Sequence, residues 1–216
     1  AWIYLGSLSA RVARRIDSLT RMMDIDPEAA EREILKELNR RPLQRWVRLL
    51  LYHRLALIRV RQQRFADTAG ICAAVLAQPL GPAQPARPHL LLMSAEARLQ
   101  LGDAWGAWAC LMEMGRQPHS LTERLQALLL QLRYELAIGR PDAALAGWET
   151  KLDLLELLPV PQMLTGHVLL ERAARARDQY ELAQWLSDRV ELMGGEVEDV
   201  PGAVSGTYTG EPVGTA

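Results

Sequence analysis

The chain has 216 residues, 49% of them hydrophobic and 24% charged, with a net charge of −1. That length suits one domain with a sizeable core or one short array of repeats, and a charge so close to zero excludes a global attraction to nucleic acid or to an anionic membrane. A single Phe and abundant Ala, Leu, Arg, Glu and Gln set helix above strand.

Residues 3–23 are predicted as a helix, with Leu5, Leu8, Val12, Ile16, Leu19 and Met23 on one stripe at spacings of three and four. Trp2, Ile3, Tyr4 and Leu5, followed by Arg11, Arg14 and Arg15, fit either the first turn of this amphipathic helix or the last turns of a removed membrane anchor with its arginines on the cytoplasmic side. Asp26 caps and Pro27 opens a second helix to about Asn39. These two helices make an N-terminal hairpin over residues 1–41 that serves as a cap. Pro42 begins the next helix, to about Gln63, whose apolar residues occupy nearly all sides and predict packing on both flanks. After a helix over 66–77, Pro79, Pro82, Pro85 and Pro88 recur every third residue. That is the period of polyproline II, either as a stiff spacer or as a ligand for an aromatic groove. Helices follow near 89–101, 104–116, 120–139, 142–157, 161–176 and 179–193. Residues 194–216 hold six glycines, four acidic residues and no basic one, the composition of a flexible acidic tail.

A pattern recurs along these helices. Gly139 at a turn is followed five residues later by Ala144 and four further on by Trp148. Gly102, Ala107 and Leu111 repeat it; Asp178, Ala183 and Ser187 repeat it with Tyr180 as an aromatic, and Gln63, Thr68 and Cys72 with Phe65. The small residues at 68, 107, 144 and 183 are 39, 37 and 39 apart, a period typical of stacked helical hairpins. Over residues 42–193 the pattern resembles the tetratricopeptide repeat, with a period longer than that family's 34 residues. The resemblance implies an all-α, right-handed α-solenoid of about five antiparallel hairpins. It also implies a concave groove, lined by the first helices of the hairpins, that grips a peptide. Counted from the turns, that groove would show His53, Glu96, Arg133, Arg172 and Arg175, with Arg133 and Arg172 at a position the family uses for polar ligand contacts.

Sequence motifs for chemistry are missing. There is no P-loop, GxGxxG or GxSxG. His53, His89, His119 and His167 are far apart in the chain, and the carboxylate pairs Asp24/Asp26 and Asp153/Glu156 are explained as caps and solvated faces. Cys72 and Cys110 lie in no CxxC and are expected as buried free thiols. The expectation is a non-enzyme with no cofactor and no metal.

Charge is uneven. Residues 1–64 carry +7 and residues 65–216 carry −8, so one end meets an anionic surface or an acidic partner, or the two ends of the array simply differ. Eight arginines and no acidic residue lie between Arg40 and Arg64. On a helical wheel Arg45, Arg48 and Arg59 fall within about 60° of one another. They form either an anion-binding strip or a hairpin stitched to Glu28, Glu31, Glu33 and Glu37 by ion pairs. The partner-binding residues expected from sequence are therefore Arg45, Arg48, Arg59, Arg133 and Arg172. The function expected is a protein–protein interaction scaffold or adaptor, a subunit of a larger assembly, holding a partner of acidic or carboxylate character. The alternative is a regulatory helical-repeat domain acting on nucleic-acid-associated or signalling partners through its basic N-terminal half. A cytoplasmic chain, or one attached to a membrane and facing the cytoplasm, is the expected setting.

Overall fold

A computed structural model describes residues 18–23, 25–39, 44–116 and 120–194. The residues read as an anchor (2–15), Asp24, Arg40, Arg41, Pro42, His119 and the acidic tail from 195 onward lie outside them. Every regular element among the described residues is a helix, as the composition predicts. The chain divides into two compact units, Ala1–His119 and Ser120–Ala216. That boundary falls inside the stretch over which the repeat pattern runs.

In the first unit residues 18–23 are helical. Then come α1 (Pro27–Asn39), α2 (Arg45–Arg61), α3 (Phe65–Leu76), a 3₁₀ helix (Gly81–Ala86), α4 (Arg87–Gln100) and α5 (Ala104–Met114). The Asp26 carboxylate accepts from the Ala29 N–H at 2.9 Å, so the cap read from the sequence is made. α1 packs on α2, α2 on α3, α3 on α4 and α4 on α5, and α2 also meets the 3₁₀ helix and α4. The two flanks of α2 enter two different cores. Val47, Leu51, Leu55 and Ile58 join Leu19, Met23, Ala30 and Ile34. Leu49 and Ala56 join Cys72, Val75, Leu80, Ala83, Leu90 and Met93. A helix that is apolar nearly all round is thereby buried on two sides, each large side chain contributing roughly 1.5–3 kcal/mol.

The second unit holds α6 (Leu121–Ala137), α7 (Pro141–Leu145), α8 (Trp148–Leu155), α9 (Val160–Arg175) and α10 (Tyr180–Leu192). Ser120 and Glu123 close a reciprocal capping box at the start of α6. Leu125, Leu129, Leu132, Leu152, Leu155, Leu170 and Leu186 make one core, with Ala144, Ala173, Ala174 and Ala183 where helices approach closely. At the edge of this core Trp148 and Trp185 meet edge-to-face at 5.8 Å, and Arg189 lies 5.0 Å over the Trp185 ring while pairing with Glu156. Trp148 and Leu111, the large apolar residues of the recurring pattern, are half-buried.

The repeat is visible in the backbone. Gln63, Gly102, Gly139 and Asp178 all take positive φ, at 56°, 77°, 70° and 56°. At each, the following N–H reaches back five residues: Arg64 to Arg59, Asp103 to Arg98 and Arg140 to Glu135 at 2.8 Å, and Gln179 to Ala174 at 3.0 Å. This is the Schellman exit, in which a left-handed residue turns the chain and satisfies a last helical carbonyl. Five residues past each turn, Thr68, Ala107, Ala144 and Ala183 are buried. Gln63 holds without glycine a conformation that costs an L-residue roughly 1–2 kcal/mol. Gln63→Gly should therefore stabilise the protein by about 0.5–1 kcal/mol, net of the entropy glycine gains when unfolded. Denaturant unfolding with an unchanged m-value measures it, and a lower midpoint would show that the turn is not strained.

Two segments depart from the sequence reading. The middle of the proline run, Gly81–Ala86, is a 3₁₀ helix, not polyproline II; its Ala83 and the Leu80 just ahead of it are buried against the first unit's core. Both helices turn every three residues, so proline spacing could not tell them apart. Pro88 then lies in the first turn of α4. The helix expected over 142–157 is broken into α7 and α8. Ala146 leaves the helical region (ψ 117°) and Gly147 turns left-handed (φ 63°). The Lys151 ammonium donates to the Ala143 and Ala144 carbonyls, both at 2.8 Å, and caps the orphaned end of α7. The Glu135 carboxylate lies 3.8 Å from that ammonium.

Candidate partner-binding site

Along α2 the sequence RWVRLLLYHRLALIRVR offers five arginines and no acid. The acids that serve them come from the neighbouring helices, and they serve them unequally. Arg59 is almost wholly buried; its guanidinium pairs with Glu31 at 2.6 and 3.0 Å, donates to Gln62 at 2.9 Å and lies 3.8 Å from Asp67. Gln62 in turn donates to Glu31 at 2.9 Å. Arg61 donates to the Met23 carbonyl at 2.7 Å, and Arg64, just past the helix, pairs with Asp67 at 2.5 Å. Glu28 and Glu33 are taken by Arg32 and Lys36.

Arg45 and Arg48 are exposed, and their side chains have no hydrogen bond or ion pair among the described residues. With Leu49, Tyr52 and Gln78 they line an open recess of about 420 Å³. Arg59 is not part of it. The three arginines fall within about 60° around the helix, yet the rise separates them: Arg59 is eleven residues on from Arg48, or about 16 Å along the axis. Of the expected strip, Arg45 and Arg48 are brought together, and Arg59 stitches α1 to α2. Tyr52 was legible in principle, because 45, 48, 49 and 52 follow the i, i+3, i+4, i+7 rule of one helical face. Gln78 was not, because it arrives from beyond the end of α3 through tertiary packing.

The residues expected along a groove fare differently. His53 is buried rather than displayed. Its Nε2 lies 2.9 Å from His89 Nδ1, with the rings edge-to-face at 5.0 Å. Burial, then the positive charges of His89 and Arg54, lower its pKa from 6.5 to about 3, so it is neutral. Glu96 is half-buried and accepts from Gln100 at 3.1 Å. Arg133 and Arg172 are half-buried on α6 and α9 of the second unit. The buried Glu171, a candidate partner for Arg172, is engaged by the exposed Arg175 instead.

One surface feature had no place in the sequence reading. Trp105 is 81% exposed on α5, and Met112, two turns on, and Leu101, just before the helix, are exposed beside it in the sequence.

Among the described residues no group of three or more His, Cys, Asp or Glu side chains could hold a metal ion. No helix among them is long and apolar enough to cross a membrane. Both cysteines are free. Cys72 is buried, and burial with a contribution from Cys110 pushes its pKa up to about 12; Cys110, expected as buried, is half-buried. A thiol-reactive probe should therefore modify Cys110 well before Cys72, whose thiolate is scarce and shielded. Equal rates in the native protein would mean that α3 opens as readily as α5. No family model, no curated protein and no solved structure matches the chain.

Proposed function

We propose that the chain is a tetratricopeptide-like, right-handed α-solenoid of about five hairpins. In this reading it works as a non-enzymatic protein–protein interaction scaffold, a subunit of a larger assembly. One observation carries the reading: a left-handed helix exit followed five residues later by a buried small residue, four times, at intervals of 39, 37 and 39 residues. Arrays of such hairpins spend their sequence on stacking and leave side chains on the remaining faces for partners. The unneutralised pair Arg45 and Arg48 and the exposed Trp105 are side chains of that kind.

The test is capture from native lysate by immobilised full-length chain, with heat-unfolded chain as the control, followed by titration of each retained protein after purification. The expected result is a protein retained by folded bait alone that then saturates at a fixed stoichiometry. Retention that is equal on folded and unfolded bait, or that never saturates, overturns the scaffold reading.

A further inference from the structure

We propose that the recess between α2 and the end of α3 is a binding site for an acidic peptide segment of a partner protein. Arg45 and Arg48 would grip its carboxylates, and Tyr52 and Gln78 would read its backbone. The inference rests on the scaffold reading and names the chemistry of its partner.

Among the described residues the charge on this recess has no internal balance. α2 contains no acidic residue. On α1, Glu31 is committed to Arg59 and Gln62, Glu28 to Arg32 and Glu33 to Lys36, and Glu37 is buried. Asp67 serves Arg64 and Arg59. Arg45 and Arg48 also sit in the first turn or so of a helix of 17 residues, where the dipole is already positive and acidic residues would be favoured. Guanidinium groups placed there oppose the helix dipole without a described acid to offset them, and a bound anion would relieve both unfavourable terms together.

The shape and the polar groups narrow the anion. A planar guanidinium fork matches a carboxylate with two parallel hydrogen bonds. The Tyr52 hydroxyl makes no hydrogen bond among the described residues. The Gln78 amide donates to the Ala74 carbonyl at 3.0 Å, which fixes the side chain and leaves its carbonyl oxygen as an acceptor. An acceptor beside two cationic forks suits a ligand that brings its own N–H groups, as a peptide backbone does and a phosphodiester strand does not. Leu49 and the Tyr52 ring add apolar lining. An open recess of about 420 Å³ accommodates a few side chains of an extended segment. Nucleic acid draws its affinity from many phosphate contacts in a row, and this recess supplies two cations.

The experiment uses the full chain and a fluorescently labelled glutamate-rich peptide, with its glutamine counterpart of equal length, read by anisotropy across a salt series. The glutamate peptide should bind saturably, and the glutamine peptide at least about tenfold more weakly. Arg45→Gln with Arg48→Gln should weaken the glutamate peptide about tenfold or more, with a melting temperature equal to or above the parent's. Arg124→Gln with Arg140→Gln removes the same charge from exposed positions of the second unit and should leave affinity unchanged. Gln78→Leu should weaken both peptides alike. Equal losses for the two arginine pairs would reduce the effect to net charge and overturn the site. So would tighter binding of phosphatidylserine vesicles or duplex DNA than of the peptide, or no peptide binding. If a captured partner is retained equally well by the Arg45/Arg48 variant, the recess fails while the scaffold stands. If nothing is captured by any folded bait, the scaffold itself fails.

Discussion

Arg59→Met should cost the protein about 3–5 kcal/mol, because it strands the Glu31 carboxylate in a nearly closed site. The Arg59 and Glu31 side chains are only 10% and 17% exposed, so water replaces the lost partner only in part. The guanidinium also organises Gln62 and lies near Asp67, so its loss unpicks the junction of α1, α2 and α3 at once. Replacing both charges, Arg59→Met with Glu31→Met, should recover most of the loss, since an apolar pair of similar volume removes the stranded carboxylate and leaves only the half-buried Gln62 amide to turn to water. Denaturant unfolding of the parent, both single variants and the double variant completes the cycle. A double variant no more stable than Arg59→Met alone would mean that the arginine acts by packing. The contrast with Arg45 and Arg48 is direct: their replacement by Gln removes no ion pair among the described residues and should leave stability intact or slightly raised.

How far the chain can be read without coordinates depends on whether a feature is local. The helix exits were legible because one left-handed residue and a small residue five positions on are local requirements. The pattern held at Gln63 and Asp178, where the sequence offered no glycine and the φ is positive all the same. The two-sided burial of α2 was legible because apolar residues ran all round it. The break at Gly147 was not, since an isolated glycine inside a helical pattern is usually tolerated and Lys151, which caps the break, looks like any solvated lysine. The meeting of His53 with His89 was hidden for a different reason. The two are 36 residues apart, on helices separated by α3 and the 3₁₀ turn, and no periodicity relates them. The arginines of α2 show the same limit inside one element. Their angular positions were correct, but which of them finds an acid depends on how α1 docks. So one of three like residues became a buried structural pair, and two were left facing the recess.

The His53–His89 contact makes the first unit sensitive to acid. His53 is neutral in the fold because burial, His89 and Arg54 hold its pKa near 3, against 6.5 in an unfolded chain. Between those values the unfolded chain binds a proton that the folded one refuses. The stabilising contribution is therefore complete above about pH 7 and is lost as pH falls through 6.5 toward 3. At about pH 5 the loss from this residue should be on the order of 2 kcal/mol. Buried His167, whose pKa burial also lowers, adds a loss of the same sign from the second unit. Asp103, held low by the Gly106 N–H, contributes only at more acidic pH. Denaturant unfolding from pH 8 to 4, on the parent and on His53→Phe, isolates the term. The variant lacks the histidine hydrogen bond and should start less stable, but its stability should fall less steeply between about pH 6.5 and 5. The gap between the two curves should close by about 2 kcal/mol over that interval. Parallel curves would mean that His53 titrates alike in both states, and the packed histidine pair between α2 and α4 would then have to be abandoned.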